Sequence, residues 1–241
     1  MPFLKSIRTV PELIRPNQYP FTIPVLSNGL NINFSSNVTF LVGENGSGKS
    51  TILEAIAEGC EFNLSGGNRN HSYKHHPTES NLSSALRLSW FPKITSGFFM
   101  RAESFFNFAT YIDELAQDDP GILDAYGGKS LHRQSHGESF LSLFVNRFNK
   151  GIYILDEPEA ALSPGRQLSF LAIIHKLETS GKAQFIIATH SPMLLCYPGA
   201  TVLSIDGNTI KEIDYKDSEH YRLTKEFLDN PERYFRYLFT D

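Results

Sequence analysis

Gly43-Glu44-Asn45-Gly46-Ser47-Gly48-Lys49-Ser50 decides how the rest of the chain is read. The stretch fits G-x-x-x-x-G-K-[ST], the spacing of a phosphate-binding loop. Glycines so placed let the backbone curl until successive N–H groups point inward at phosphate oxygens. A lysine at the place of Lys49 reaches the β- and γ-phosphates, and a hydroxyl at the place of Ser50 ligates Mg²⁺. Both flanks fit. Val38-Thr39-Phe40-Leu41-Val42 is a β-branched and aromatic run, expected as a buried strand. Ser50 to Ala57 carries Ile52, Leu53 and Ile56 on one helical face. A bound triphosphate would then lie at a helix N-terminus, where free N–H groups and the dipole favour anions.

A second carboxylate site lies more than a hundred residues on. Ile152-Tyr153-Ile154-Leu155-Asp156-Glu157-Pro158 is an apolar strand ending in two acids. Beside the phosphate loop, Asp156 can hold Mg²⁺ through its water shell. Glu157 points elsewhere and can orient or deprotonate an attacking water. Acids at a strand end also occur in plain solvated turns, so the pair gains its meaning from the loop.

Composition sets outer bounds. The 241 residues are 41% hydrophobic and 20% charged, an ordinary globular balance. A net charge of −4 excludes a surface that is basic as a whole. Cys60 and Cys196 are far apart and form no C-x-x-C, which excludes a disulfide framework or a cysteine zinc site. Met1 to Val10 has no apolar core of a signal peptide, and no run approaches 18 apolar residues. A soluble, reducing, cytoplasmic setting is the expectation.

Patterning gives an α/β order. Residues 3–42 read as short strands, with a hairpin expected at Asn28-Gly29 between Ile23–Leu26 and Leu30–Phe34. Residues 61–80 read as an exposed loop, 85–90 as a strand, 101–117 as a helix and 121–134 as a loop. Helix, strand, helix, strand follow. Ser139 to Asn149 places Phe140, Leu141, Phe144, Val145 and Phe148 on one face, and Pro164 to Thr179 repeats Leu168, Leu171, Ile174 and Leu177. Ile152–Leu155 and Phe185–Ala188 are wholly apolar, as buried parallel strands are. Val202–Ile205 and Thr209–Ile213 form a hairpin, and Asn230-Pro231 opens a last helix. His71, Tyr73, His75 and His76 lack the framing of a metal site and read as a solvated loop. Phe98 to Phe108 reads as the core of a helical subdomain ahead of a docking face.

With Gly43 to Thr51 stand Ser135-His136-Gly137-Glu138, Leu155-Asp156-Glu157-Pro158-Glu159, Ala161-Leu162-Ser163 and Ala188-Thr189-His190-Ser191. In this order and separation they resemble the ABC-type ATPases, and among those the stand-alone RecF/SMC/Rad50-like head domains. The resemblance covers nearly the whole chain. It implies a P-loop NTPase fold with a mostly parallel central sheet, an N-terminal antiparallel β subdomain and an inserted helical subdomain. One domain is expected over 1–241, its core from 1–59 and 150–241, its helical signature lobe from about 60–149.

The resemblance also implies the site. Gly43, Glu44, Asn45, Gly46, Ser47, Gly48, Lys49, Ser50 and Thr51 would bind ATP, and Ser50 with Asp156 would hold Mg²⁺. Glu157 and His190 would be catalytic. Ser135 and Gly137 would grip the γ-phosphate of the other subunit in a head-to-tail homodimer formed on ATP. Two departures from the family stand out. His136 replaces a signature glycine. No glutamine follows an early strand, since only Gln117 and Gln134 fall between the loop and Asp156; Arg101 or Glu103 would occupy that region. Tyr19 and Phe21 are candidates to stack on adenine. The implied work is ATP hydrolysis driving a protein partner in DNA repair, DNA processing or phage defence, with nucleic acid as a further partner. The alternatives are the energy subunit of a transporter working with a membrane permease, and an ATP-gated binding switch.

Overall fold

A computed structural model describes residues 1–68, 81–133 and 136–239. The histidine-rich segment, Gln134 and the signature serine Ser135 lie outside the described residues. The strands are β1 (Leu4–Thr9), β2 (Asn31–Asn33), β3 (Val38–Gly43), β4 (Leu86–Trp90), β5 (Gly97–Arg101), β6 (Gly151–Asp156), β7 (Ala183–Ala188), β8 (Thr201–Asp206) and β9 (Thr209–Ile213). The helices are α1 (Lys49–Gly59), α2 (Leu82–Ala85), α3 (Phe105–Asp118), α4 (His136–Arg147), α5 (Pro164–Thr179), α6 (Pro192–Leu195), α7 (Glu219–Asp229) and α8 (Pro231–Leu238).

Six strands form one sheet in the order β5-β6-β7-β3-β8-β9. The first five run parallel, and β9 returns antiparallel through a tight turn at Gly207-Asn208. Because parallel strands need covering on both faces, their residues are mostly apolar and alternate between two cores. On one face Phe40, Met100, Leu155, Phe185 and Ile187 pack with α3, α4 and α5. On the other, Leu41, Phe99, Ile154, Ile186 and Leu203 pack with α1 and the small antiparallel sheet β2-β1-β4.

Gln184 joins the two sheets. Its side chain is buried on β7, accepts from the N–H groups of Phe3 and Leu4, and donates to Leu4 O. A single amide so satisfies three backbone groups that would otherwise be desolvated without partners.

Several local expectations need correction. The Asn28-Gly29 hairpin is absent: Pro24–Leu26 is a 3-10 turn, and β2 pairs instead with β1. Proline at the first position removes a donor and favours the turn over a strand. Within 60–149, β4 lies in the small sheet and β5 forms the edge of the large one, so that segment is not all helical. Residues 121–134 include two 3-10 helices, Pro120–Tyr126 and Leu131–Arg133. On α4 the buried apolar side chains are Phe140, Leu143 and Phe144, while Val145 faces solvent. On α5 they are Gln167, Phe170 and Ile174, while Leu168 is exposed. Phe98, Phe105 and Phe108 are buried in an aromatic cluster, so the phenylalanine-rich stretch is mainly core.

Helix α7 had no counterpart in the sequence reading. Ser218 caps it, its hydroxyl accepting from Tyr221 N, and Asn230 caps α8 by accepting from Arg233 N. Neither helix has a buried residue. No helix among the described residues is long and apolar enough to cross a membrane.

Candidate nucleotide site

Parallel strands bring their C-terminal ends to one edge, and three of the predicted groups collect there. β3 delivers the phosphate loop, β6 ends at Asp156, and the residue after next beyond β7 is His190. In open α/β sheets this edge is where ligands bind.

The loop has the shape its glycines allow. Gly46 has φ +78° and Gly48 φ +100°, left-handed values at which a side chain is strained. A Cβ at Gly43 would come within 2.5 Å of Ile205 O, so only glycine lets β3 leave the sheet beside β8. Lys49 is buried at the start of α1, and its Nζ donates to Gly43 O at 2.7 Å and Glu44 O at 3.0 Å. Burial pulls its pKa below the ordinary lysine value, while Glu157, Asp156, Glu44 and Glu159 oppose the shift. Glu44, Asn45 and Gly46 are exposed, Ser47 and Ser50 are half-buried, and Thr51 is buried. Tyr19 lies over this end of α1, its hydroxyl 3.5 Å from Thr51 Oγ1. Phe21 is core.

Asp156 is buried, and its two oxygens differ. Oδ2 accepts from Arg101 Nε at 3.0 Å, while Oδ1 has no hydrogen-bond partner. A buried carboxylate oxygen without a donor calls for a cation or water. Among the described residues no cluster of three His, Cys, Asp or Glu side chains is arranged to hold a metal by itself. The unpartnered Asp156 Oδ1 is a donor that suits Mg²⁺, which uses one or two carboxylates together with phosphate oxygens and water. The residues that could hold it are Ser50 and Asp156.

Arg101, at the end of β5, also ion-pairs with Glu54 of α1. Burial alone would lower its pKa, but Glu54 and Asp156 outweigh that and hold it above the ordinary arginine value. Arg101 thus stands between Asp156 and α1, and Glu103 is exposed.

Glu157 adopts φ +50°, ψ 52°, a left-handed conformation rare for a residue with a long side chain. Its N–H donates to Ala188 O, and Pro158 follows in a 3-10 turn over Pro158–Ala161. The strained turn separates the directions of Asp156 and Glu157. Glu157 Oε1 lies 3.3 Å from His190 Nε2, an ion-pair distance without the alignment of a full hydrogen bond. Glu159 Oε1 accepts from His190 N at 2.6 Å, and burial raises the pKa of that carboxyl above the ordinary value. His190 Nδ1 meets His220 Nε2 of α7 at 2.8 Å. Burial, then Lys49 and His220, lower the His190 pKa, against an upward pull from Glu157.

Gly137 is buried in the first turn of α4. A Cβ there would fall 2.6 Å from the Arg166 side chain and 3.1 Å from Ala161 O. Gly137 therefore packs on the turn at Ala161, where Arg166 also pairs with Glu138 at 3.1 Å. The neighbours of α4 are α5 and 3-10 turns. Within one chain the structure brings together Lys49, Asp156, Glu157 and His190, but does not seat Gly137 against the phosphate loop.

A family model described as "AAA domain" matches residues 20–104, and a second, "AAA domain, putative AbiEii toxin, Type IV TA system", matches 130–195. Over these two stretches, which hold the phosphate loop and the Asp156-Glu157 strand end, the chain is similar to P-loop ATPases of the AAA/ABC type. A "Putative ABC transporter ATP-binding protein" of Bacillus cereus is 24% identical, over 99% of the chain and 48% of the relative. The "Tungstate uptake system ATP-binding protein TupC" of Campylobacter jejuni is also 24% identical, over 83% of the chain and 67% of the relative. The chain thus spans about half the length of the first relative. In fold it is similar to the solved structure of "cbiO1 from clostridium perfringens: Part of the ABC transporter complex cbiONQ". There the TM-score is 0.52 at 18% identity, covering 95% of this chain and 97% of that one.

Arg101, Glu54, Glu159 and His220 were missed or left open as site residues. The strand before Arg101 was a usable signal, since Gly97-Phe98-Phe99-Met100 is as apolar as the other buried strands. His220 carried none, because its partner lies 30 residues away.

Proposed function

We propose that the chain binds and hydrolyses ATP as a head-to-tail pair and uses the cycle to drive a protein partner. The observation that carries this reading is the convergence of Lys49, Asp156 with its unpartnered Oδ1, Glu157 and His190 at one sheet edge. Lys49 exchanges its two carbonyl acceptors for phosphate oxygens, and the loop N–H groups surround the α- and β-phosphates. Ser50 and Asp156 would hold Mg²⁺, which would supply positive charge against the phosphates. Glu157 accepts the proton of the attacking water, and His190 donates to the γ-phosphate from Nε2. Tyr19, close to Thr51 and partly exposed, is placed to stack on the base.

Because Gly137 packs on the turn at Ala161 instead of its own phosphate loop, Ser135 and Gly137 serve a second copy. Four phosphate charges are tolerable in a closed seam only when cations and N–H dipoles surround them. The test is phosphate release together with light scattering. Glu157→Gln should bind ATP, lose about 10²–10⁴-fold in turnover and elute with ATP at twice the 27.2 kDa chain mass. A variant that stays monomeric with saturating ATP would sink the paired-head reading.

For the partner we favour a processing or defence role, supported by the toxin–antitoxin description of the family model over 130–195. The second reading is a transporter energy subunit, which the names of both relatives favour. Co-purification separates them: a membrane permease retained by the tagged chain would select the second.

A further inference from the structure

We infer that His220 is a positioning residue: from α7 it sets the tautomer and ring orientation of His190, so that hydrolysis depends on where α7 sits. The inference deepens the proposed function and rests on His190 facing the γ-phosphate there.

The geometry is specific. His190 Nδ1 and His220 Nε2 are 2.8 Å apart, with ring centroids at 4.5 Å and planes inclined by 73°. A bond between two imidazoles needs one N–H and one lone pair. On the far side of the ring, Nε2 lies 3.3 Å from a Glu157 carboxylate oxygen. That negative charge favours a proton on Nε2. A neutral His190 protonated at Nε2 leaves a lone pair on Nδ1, so His220 Nε2–H must donate. The reverse arrangement would turn the His190 lone pair toward a carboxylate. Burial and the Lys49 charge keep the ring in its neutral form, which agrees with this direction. Nε2–H, which has no full hydrogen bond, is then available to a γ-phosphate oxygen.

The backbone side of His190 is also tied, because its N–H donates to Glu159 Oε1. Three groups from two parts of the chain therefore hold one residue: Glu157 and Glu159 after β6, and His220 from α7. Only the last sits on an element without buried residues. A cleft of about 620 Å³ lies beside α7, walled by Gln167, Met193, Tyr221 and Leu228. A histidine whose second nitrogen is held by an outer residue keeps its tautomer, and at metal-bound histidines losing such a partner costs about 10–100-fold.

The experiment uses His220→Met, which keeps bulk without a donor, and His220→Gln, whose amide N–H can donate. Melting temperature and ATP affinity are read beside turnover. His220→Met should lower kcat about tenfold at unchanged ATP affinity, His220→Gln should restore most of it, and His220→Met should add nothing in a His190→Ala background. Full turnover in His220→Met while His190→Ala is impaired, or additive losses in the double variant, would overturn the assignment. ¹⁵N-histidine NMR reads the tautomer without turnover. His190 Nδ1 should resonate as an unprotonated nitrogen in the native protein and lose that uniform state in His220→Met. A protonated Nδ1 in the native protein would overturn the assignment. Because the NMR arm needs no hydrolysis, an inactive native protein would count against the proposed function alone.

Discussion

Arg101 Nε donates to Asp156 Oδ2 at 3.0 Å, and the same guanidinium reaches back to Glu54 on α1. One cation thus ties the edge strand β5, the acid-bearing strand β6 and the helix that opens at the phosphate loop. Asp156 and Glu54 are both nearly excluded from solvent. Removing one partner of a buried pair costs about 3–5 kcal/mol, because a desolvated charge is left behind. Arg101 is itself partly exposed, so Arg101→Ala should fall near the lower end, about 3 kcal/mol, or about 6–12 °C in melting temperature for a chain of this size. It should also enlarge the stabilisation by Mg²⁺ with nucleotide, since Asp156 loses its competing cation. Calorimetry with and without Mg²⁺ checks both. An increment equal to that of the native protein would separate Arg101 from the metal site.

Glu157 should show a trade between stability and turnover. Its left-handed backbone costs about 1–3 kcal/mol for an ordinary side chain, whereas asparagine tolerates that region. Its side chain is substantially exposed and its ion pair with His190 contributes little to stability. Glu157→Asn should therefore raise the melting temperature by about 2–4 °C per kcal/mol recovered while phosphate release collapses. A lower melting temperature would show that the φ of +50° is not strained.

Much of this site was legible from local sequence, and the reason is local too. A phosphate loop needs glycines at fixed offsets and a lysine and hydroxyl beside them, so Gly43 to Thr51 announce themselves. Buried parallel strands carry unbroken apolar runs, Ile152–Leu155 and Phe185–Ala188 here, which located β6, β7 and the acid that ends β6. The strand–turn error at Pro24–Leu26 came from reading Asn28-Gly29 as a hairpin, when Pro24 favoured a 3-10 turn. Helix faces were misjudged where leucines outnumbered the buried residues: on α5, Gln167 is inside because Ser191 Oγ donates to it and it donates to Leu162 O. Arg101 and His220 act across 55 and 30 residues of chain. No pattern of neighbours encodes such contacts, which arise only once β5 and α7 have docked.

His190 gives a pH signature. Burial and the nearby Lys49 hold its pKa below the ordinary value. The unfolded chain takes up that proton near pH 6.5, and the folded protein only at lower pH. Across that window the unfolded state binds more protons, so stability falls as pH falls. The contribution is present in full above pH 6.5 and is lost as the pH drops through the folded value. Melting temperatures from pH 8 to pH 5.5 should decline on the acid side more steeply for the native protein than for His190→Gln. Parallel slopes would remove His190 as the source.

Two glycines predict opposite outcomes for the same substitution. At Gly97, which opens β5 with φ +153°, a Cβ would lie 2.1 Å from Ile152 O and 2.6 Å from Phe62 Cζ. The first contact is backbone of the paired strand and cannot swing aside, so Gly97→Ala should part β5 from β6 at an overpacking cost of about 1–3 kcal/mol. Because β5 carries Arg101, turnover should fall with it. At Gly165, in the first turn of α5, φ is ordinary and nothing lies within 4 Å of an added Cβ. Alanine there gains up to about 1 kcal/mol of helix propensity. Thermal melts of the two variants should move apart, Gly97→Ala down and Gly165→Ala level or up. A Gly97→Ala protein as stable as the native chain would mean that the edge of the sheet is not built as described.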